Sequence, residues 1–292
     1  MSRIVRFGAG SVGVLDGGSV RDLSSLVDPP LRGTPYAIND LIARWDDVAE
    51  QVAGVAASAP AISVAEAGLL APITHPRNLF AAPLNYRPHV AEMVGSRHAP
   101  TGLKAHHSAG NLGFFLKAPG SIIGPGEAVE LPPLPGRSFH HEIELGVVIG
   151  REARGVSIDE ALDHVFGYLC LLDITMRTEG EQQEERVTRK SFQTFTPLGP
   201  WIVTADEIDD PDGLDLQLWV GDELRQSANT RDLIVGVAQL ISDASHVLTL
   251  SPGDIYATGT PDGVGPIVPG DTIRAVVEQV GEVEVAVVQR AW

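Results

Sequence analysis

Apolar and polar positions alternate most cleanly from Glu142 to Ile149. Ile143, Leu145, Val147 and Ile149 share one face, and Glu142, Glu144, Gly146 and Val148 share the other. A period of two marks a strand. Leu214, Leu216, Leu218 and Val220 repeat the pattern, and Thr272–Val277 and Val283–Val288 flank Val280-Gly281 as a hairpin. Helical spacing appears in three places. Tyr36, Ile38, Leu41, Ile42, Trp45, Val48 and Val52 predict one helix, after which the Ala-rich stretch Val52 to Ala61 reads as a connector. Ser157 and Glu160 make a capping box ahead of Ile158, Ala161, Leu162, Val165, Phe166 and Leu169. A third helix is expected over Thr230 to Leu248, stopped by Ser251-Pro252-Gly253.

Strand signals outnumber helical ones and do not alternate with them. The expected fold class is therefore α+β, mainly β, with mixed and largely antiparallel sheets instead of a doubly wound parallel sheet. Residues 1–70 read as a small N-terminal domain with turns at Asp16-Gly17-Gly18 and Asp28-Pro29-Pro30. Pro72 and Pro76 mark the entry into a larger domain over 71–292.

Composition sharpens this picture. Gly (31) and Pro (21) are frequent enough to imply many short elements joined by turns. Hydrophobic residues at 43% can build a full core. Lys and Arg number 21 against 38 Asp and Glu, a formal charge of −17. Such a surface repels nucleic-acid phosphates and anionic lipid, so no nucleic-acid or membrane partner is expected. A small anionic substrate stays compatible, because a metal ion or a few cations in a cleft reverse the local sign. Cys170 is the single cysteine, which excludes an intrachain disulfide and a multi-thiolate zinc site. A reducing, cytoplasmic location is expected, in keeping with an amino terminus that lacks an apolar signal-peptide region and with no stretch of about 18 apolar residues.

Candidate chemistry lies in a few places. Gly8-Ala9-Gly10-Ser11-Val12-Gly13 matches a dinucleotide fingerprint, but a strand and turn follow where the fingerprint requires a helix, so a glycine-rich hairpin is the better reading. In Glu142-Ile143-Glu144 the two carboxylates point the same way along a strand, with Cα atoms roughly 6.6 Å apart. They form either a solvated outer face or a cation site, since neighbouring carboxylates repel without a cation between them. Asp173 ends the apolar run from Tyr168, as a turn initiator or as a third ligand. Three carboxylates without a thiolate suit Mg²⁺ or Mn²⁺, with Ca²⁺ as a further candidate. His89 and Glu92 stand one helical turn apart, as an exposed pair or as a base with its orienting carboxylate. Lys190 lies among aromatic residues in a chain poor in cations, and Thr258 to Gly265 is a glycine-rich loop able to present N–H groups to a carboxylate. His140-His141 does not make a zinc site, because adjacent strand residues face opposite ways.

Taken together these motifs, in this order, resemble the fumarylacetoacetate hydrolase family over roughly residues 75 to 289. Asn85-Tyr86 with His89 and Glu92 resembles its lid histidine–glutamate pair. Phe115 to Pro125 is similar to its substrate-loop segment, Glu142, Glu144 and Asp173 to its metal carboxylates, and Arg177 to its active-site arginine. Lys190-Ser191-Phe192, Pro197 to Pro200 and Gly259-Thr260-Pro261 match later blocks. Gly180 stands where many members have Gln, and the segment from Glu179 to Arg189 is longer and more charged than usual. The resemblance implies a mixed β-roll with a small N-terminal domain, a homodimer, and a Mg²⁺- or Mn²⁺-dependent enzyme of aromatic-compound catabolism. It implies cleavage of a C–C bond in a small acylpyruvate or 1,3-dioxo carboxylic acid through an enolate. The same centre would also serve a decarboxylase, isomerase or tautomerase of a 2-oxo acid. In this reading His89, Glu92 and Lys190 are catalytic, Arg177, Tyr86 and Thr260 bind substrate, and Glu142, Glu144 and Asp173 hold the metal.

Overall fold

The computed structural model describes residues 2–94, 96, 103–177 and 184–291. Among the described residues the strands form sheets of twelve, five and three. The spine of the large sheet runs Arg3–Phe7, Thr196–Thr204, Val165–Leu172, Ile143–Ile149, Ile255–Ala257, Leu79–Ala81 and Phe115–Lys117. Ser11–Asp16, Ser19–Asp22 and Ala61–Ser63 extend it beyond Arg3–Phe7. Neighbours along this path are antiparallel except Ile255–Ala257 with Leu79–Ala81. The N-terminal strands thus continue the sheet of the later residues, through Arg3 opposite Val203 and Ile4 opposite Ile202.

Both faces of this sheet are covered. Leu145, Val147, Tyr168 and Cys170 pack toward the five-stranded sheet, against residues such as Leu216, Ala275 and Val285. Val148, Leu169 and Leu171 pack the other way, in one cluster with Ile38, Leu41 and Ile42 of the N-terminal helices. Every residue of Ile143–Ile149 is consequently buried. The face carrying Glu144 is a covered face, not a solvated one.

The same two-sided burial corrects one sequence expectation. The helix expected from Ile158 to Leu169 is only Ile158–Ala161 followed by a 3-10 turn, Leu162–His164, and Val165–Leu172 is a strand. A strand buried on both faces shows no alternation, and its apolar residues also satisfy a helical template. The first helix is two, Ala37–Ala43 and Trp45–Ser58, so most of the expected connector is helical. The third begins at Val237, not Thr230, and ends at Ser245. The glycine-rich segment near the start is the expected hairpin: Phe7 pairs with Ser11 and no helix follows.

Candidate metal centre and its cavity

The carboxylates are placed by strand pairing. Ile143 lies opposite Leu172 and Glu144 opposite Leu171. The Asp173 N–H donates to the Glu142 carbonyl at 2.8 Å, carrying the pairing one step beyond the strands. Glu142, Glu144 and Asp173 therefore meet at one end of two adjoining strands. They are 3%, 2% and 0% exposed, and one oxygen of each lies within 4.8 Å of the others.

Cations surround them. Lys190 Nζ donates to Glu142 Oε2 at 2.6 Å, to Thr175 Oγ1 at 2.8 Å, and to Asp173 Oδ2. Arg177 Nη2 donates to Glu142 Oε1 at 2.5 Å. Lys117 donates to Asp173 Oδ1, and to the Phe195 carbonyl at 2.9 Å. Burial alone raises the Glu142 pKa, but Lys190, Arg177 and His89 outweigh it and hold the carboxyl well below the usual range. Glu144 has no such neighbour in contact. Burial, then Asp173 and Glu142, push its pKa well above the ordinary value, despite the Gly259 N–H that donates to it at 2.7 Å. A buried carboxylate beside two others is stabilised as an anion by a cation. The donor set is all carboxylate oxygen, which fits a hard divalent ion and not a structural zinc.

His89 and Glu92 sit on the helix Arg87–Val94, and Glu92 Oε2 lies 2.9 Å from His89 Nδ1. Glu92 Oε1 accepts from the Gly263 N–H at 3.2 Å, so the carboxylate is gripped from both sides. Asn85 anchors the start of this segment. Its Nδ2 donates to the Val235 and Thr258 carbonyls at 2.9 and 2.8 Å, and its Oδ1 accepts from the Val235 N–H. Gly259 allows the approach: its φ is +102°, and a Cβ there would stand 2.7 Å from the Asn85 Cβ. The loop N–H groups of Gly259 and Gly263 are thus spent on the protein's own carboxylates.

His89, Glu142, Glu144, Arg177, Lys190 and Thr260 line one cavity. Glu92 and Asp173 touch it through His89, Lys190 and Lys117. Tyr86 is the one predicted site residue set apart. It is 1% exposed, is not among the residues lining the cavity, and its hydroxyl has no hydrogen-bond partner among the described residues. Gly180 and Glu179 lie outside the described residues.

Two participants escaped the sequence reading. Lys117 is one, lying in the Phe115 to Pro125 run but given no role of its own there. Gln226 is the other. Its Oε1 accepts from the Ile143 N–H at 3.1 Å and its Nε2 donates to the Pro261 carbonyl at 2.9 Å, which fixes the orientation of the amide. The same Oε1 therefore accepts from His141 Nδ1 at 3.1 Å, and Nε2 donates to Thr260 Oγ1 at 2.8 Å. Burial pushes the His141 pKa down to about 4, keeping the ring neutral with its proton on Nδ1. Thr260 Oγ1 accepts in this chain of bonds, so its own hydrogen is left for the cavity. The lone tempting signal was His141 beside the carboxylates.

Buried carboxylates gathered at the end of a covered mixed sheet make a metal-centred enzyme site. The chain belongs to the fumarylacetoacetate hydrolase family: the model for the fumarylacetoacetate (FAA) hydrolase C-terminal region matches residues 78–288. It is 39% identical over 288 residues to maleylpyruvate hydrolase of Aquipseudomonas alcaligenes, covering 98% of this chain and 99% of that one. The crystal structure of maleylpyruvate hydrolase from Sphingobium sp. SYK-6, in complex with manganese(II) ion and pyruvate, superposes with a TM-score of 0.85 at 41% identity, over 99% of this chain and 100% of that one. A probable 2-hydroxyhepta-2,4-diene-1,7-dioate isomerase from Mycobacterium abscessus gives a TM-score of 0.78 at 29% identity, over 100% and 99%.

Proposed function

We propose that this protein is a Mg²⁺- or Mn²⁺-dependent hydrolase that cleaves a C–C bond in a small acylpyruvate. The observation that carries the reading is the convergence of the buried Glu142, Glu144 and Asp173 beside the cavity that His89, Glu142 and Glu144 line. The full-length likeness to two maleylpyruvate hydrolases, one solved with manganese and pyruvate, supports it.

Glu142, Glu144 and Asp173 would hold the cation, which when bound supplies Lewis acidity to the oxygens of a 2-oxo acid. Glu92 holds the Nδ1 proton of His89 in place, leaving Nε2 free to take a proton. His89 Nε2 takes it from a water that attacks the carbonyl distal to the pyruvate unit. The C–C bond breaks, its electron pair passes to the pyruvate carbon as an enolate, and a proton returned to that carbon completes pyruvate. The distal part leaves as a carboxylic acid. Lys190 and Arg177 offset negative charge during these steps, and the Thr260 hydroxyl donates to a substrate oxygen. Tyr86 shapes the wall behind the substrate.

An isomerase of a 2-oxo acid is the second reading, favoured by the likeness to the Mycobacterium abscessus protein. Assaying acylpyruvates and oxaloacetate with Mg²⁺ or Mn²⁺, following C–C cleavage and CO₂ release separately, decides between them. Pyruvate release from an acylpyruvate supports the hydrolase, and isomerised or decarboxylated product alone overturns it. We further place residues 1–70 as an N-terminal domain and 71–292 as the catalytic unit, in a cytoplasmic homodimer that degrades products of aromatic compounds.

A further inference from the structure

The charges in the cavity do not balance. Three carboxylates, Glu142, Glu144 and Asp173, meet three cations in contact with them or with each other's partners, Lys117, Arg177 and Lys190. Arg186 and Arg189 also line this cavity and are left over. They stand three positions apart on the short helix Arg186–Lys190, so their side chains leave it on neighbouring tracks.

Neither guanidinium has a carboxylate partner among the described residues. The Arg186 Cζ lies 5.1 Å from the centre of the Phe115 ring, and Lys190 Nζ lies 5.4 Å from the same ring. Arg189 spends its Nε–H on the Glu184 carbonyl at 3.1 Å, and its two terminal nitrogens have no hydrogen-bond partner among the described residues. Burial lowers the pKa of both, and Arg177 and Arg186 repel Arg189 further. Holding the half-buried Arg186 and Arg189 close to each other and to the buried Arg177 costs free energy unless an anion arrives. In a chain of charge −17 with ample acids elsewhere, that vacancy is a ligand's place.

We propose that Arg186 and Arg189 bind the distal carboxylate of the substrate, making the enzyme selective for dicarboxylic acylpyruvates over acylpyruvates with an uncharged tail. This rests on the hydrolase reading for the reaction, but not for the binding. A carboxylate has two oxygens for two planar forks, and such charge-assisted pairs are the strong ones. Phe115 beneath Arg186 gives the carbon chain between the two carboxylates an apolar floor.

The test uses the full-length, Mn²⁺-loaded protein and two six-carbon probes, 2-oxoadipate with a terminal carboxylate and 2-oxohexanoate with a terminal methyl. Calorimetry should show 2-oxoadipate binding about 10- to 100-fold tighter in the wild type. Arg186→Gln and Arg189→Gln should each shrink that preference, and Arg186→Lys and Arg189→Lys should keep part of it because the charge stays. Equal binding of the two probes by the wild type, or no binding of either, overturns the proposal. So does an equal loss for both probes in the Gln variants, which would place the arginines on the shared keto-acid end. If the preference holds but no acylpyruvate is cleaved, the hydrolase reading falls and the dicarboxylate site stands.

Discussion

Lys117 and Asp173, 56 positions apart in the chain, form an ion pair with neither partner reachable by water. Burial lowers the pKa of this lysine and Asp173 pulls it back up. The pair makes Asp173 a poor place to test metal binding. Asp173→Asn leaves Lys117 as a buried charge without its counter-charge, a loss of about 3–5 kcal/mol, enough to lower stability sharply. Glu144 is the better probe, because among the described residues it accepts only the Gly259 N–H. Glu144→Gln should keep its thermal midpoint within a few degrees of the wild type while losing Mn²⁺ binding in calorimetry and all cation-dependent turnover. Full Mn²⁺ affinity in Glu144→Gln removes that residue from the ligand set.

His89→Ala should lower kcat by about 10²- to 10⁴-fold, the usual worth of a positioned general base. Mn²⁺ and pyruvate affinities should change little, since the carboxylates come from other elements. Glu92→Gln should cost less, because it orients the imidazole and transfers no proton. A wild-type rate in His89→Ala excludes this histidine as the base.

Gln226 gives a test of polarity and not of packing alone. In Gln226→Glu the carboxylate still accepts from His141 and Ile143 but cannot donate to Thr260. The Thr260 hydroxyl then turns to donate inward and is lost to the cavity. KM for the keto acid should rise by about tenfold, the worth of one hydrogen bond to a charged group. Thr260→Val should do the same, and the double variant should be no worse than either single one. Additive effects mean that the two residues act separately.

Cys170 answers to pH. Burial, chiefly, pushes its thiol pKa up to about 12, and its Sγ donates to the Ala275 carbonyl at 3.6 Å. The unfolded chain loses this proton near the ordinary value, about 9. Between those limits the folded state binds more protons, so stability falls as pH rises above about 9. Urea midpoints at pH 8 and 10.5 should diverge less in Cys170→Ala than in the wild type. The native thiol should also resist a disulfide reagent at pH 8 and react once the protein is unfolded. Rapid labelling of the native protein contradicts the burial.

The strand Thr272–Val277 could be read from the sequence residue by residue, because only one of its faces is fully packed and the alternation survives. Val165–Leu172 could not, because the N-terminal helices cover the face that would otherwise have been polar. The carboxylates were legible because Glu142, Glu144 and Asp173 lie on, or one residue beyond, the ends of adjoining strands. Lys117 and Gln226 were not. A lysine in a short strand and a glutamine in the hairpin strand Glu223–Asn229 look like solvent-facing residues until tertiary pairing brings them inward. Arg186 and Arg189 show only as excess charge in a sequence, and their shared wall is a product of folding.

The way Arg3 and Ile4 dock on Val203 and Ile202 has a consequence for the whole molecule. Among the described residues, none before Ala82 lines the cavity. Yet removing the first seventy residues would open the backbone groups of Ile202 and the Thr204 N–H, which donates to the Ser2 carbonyl at 3.2 Å, and strip the cover from Phe166, Leu198 and Ile202. Such a raw, greasy sheet margin invites a second copy to add its own strand. The opening segment is in that sense a cap on the sheet margin, laid over groups that would otherwise face solvent.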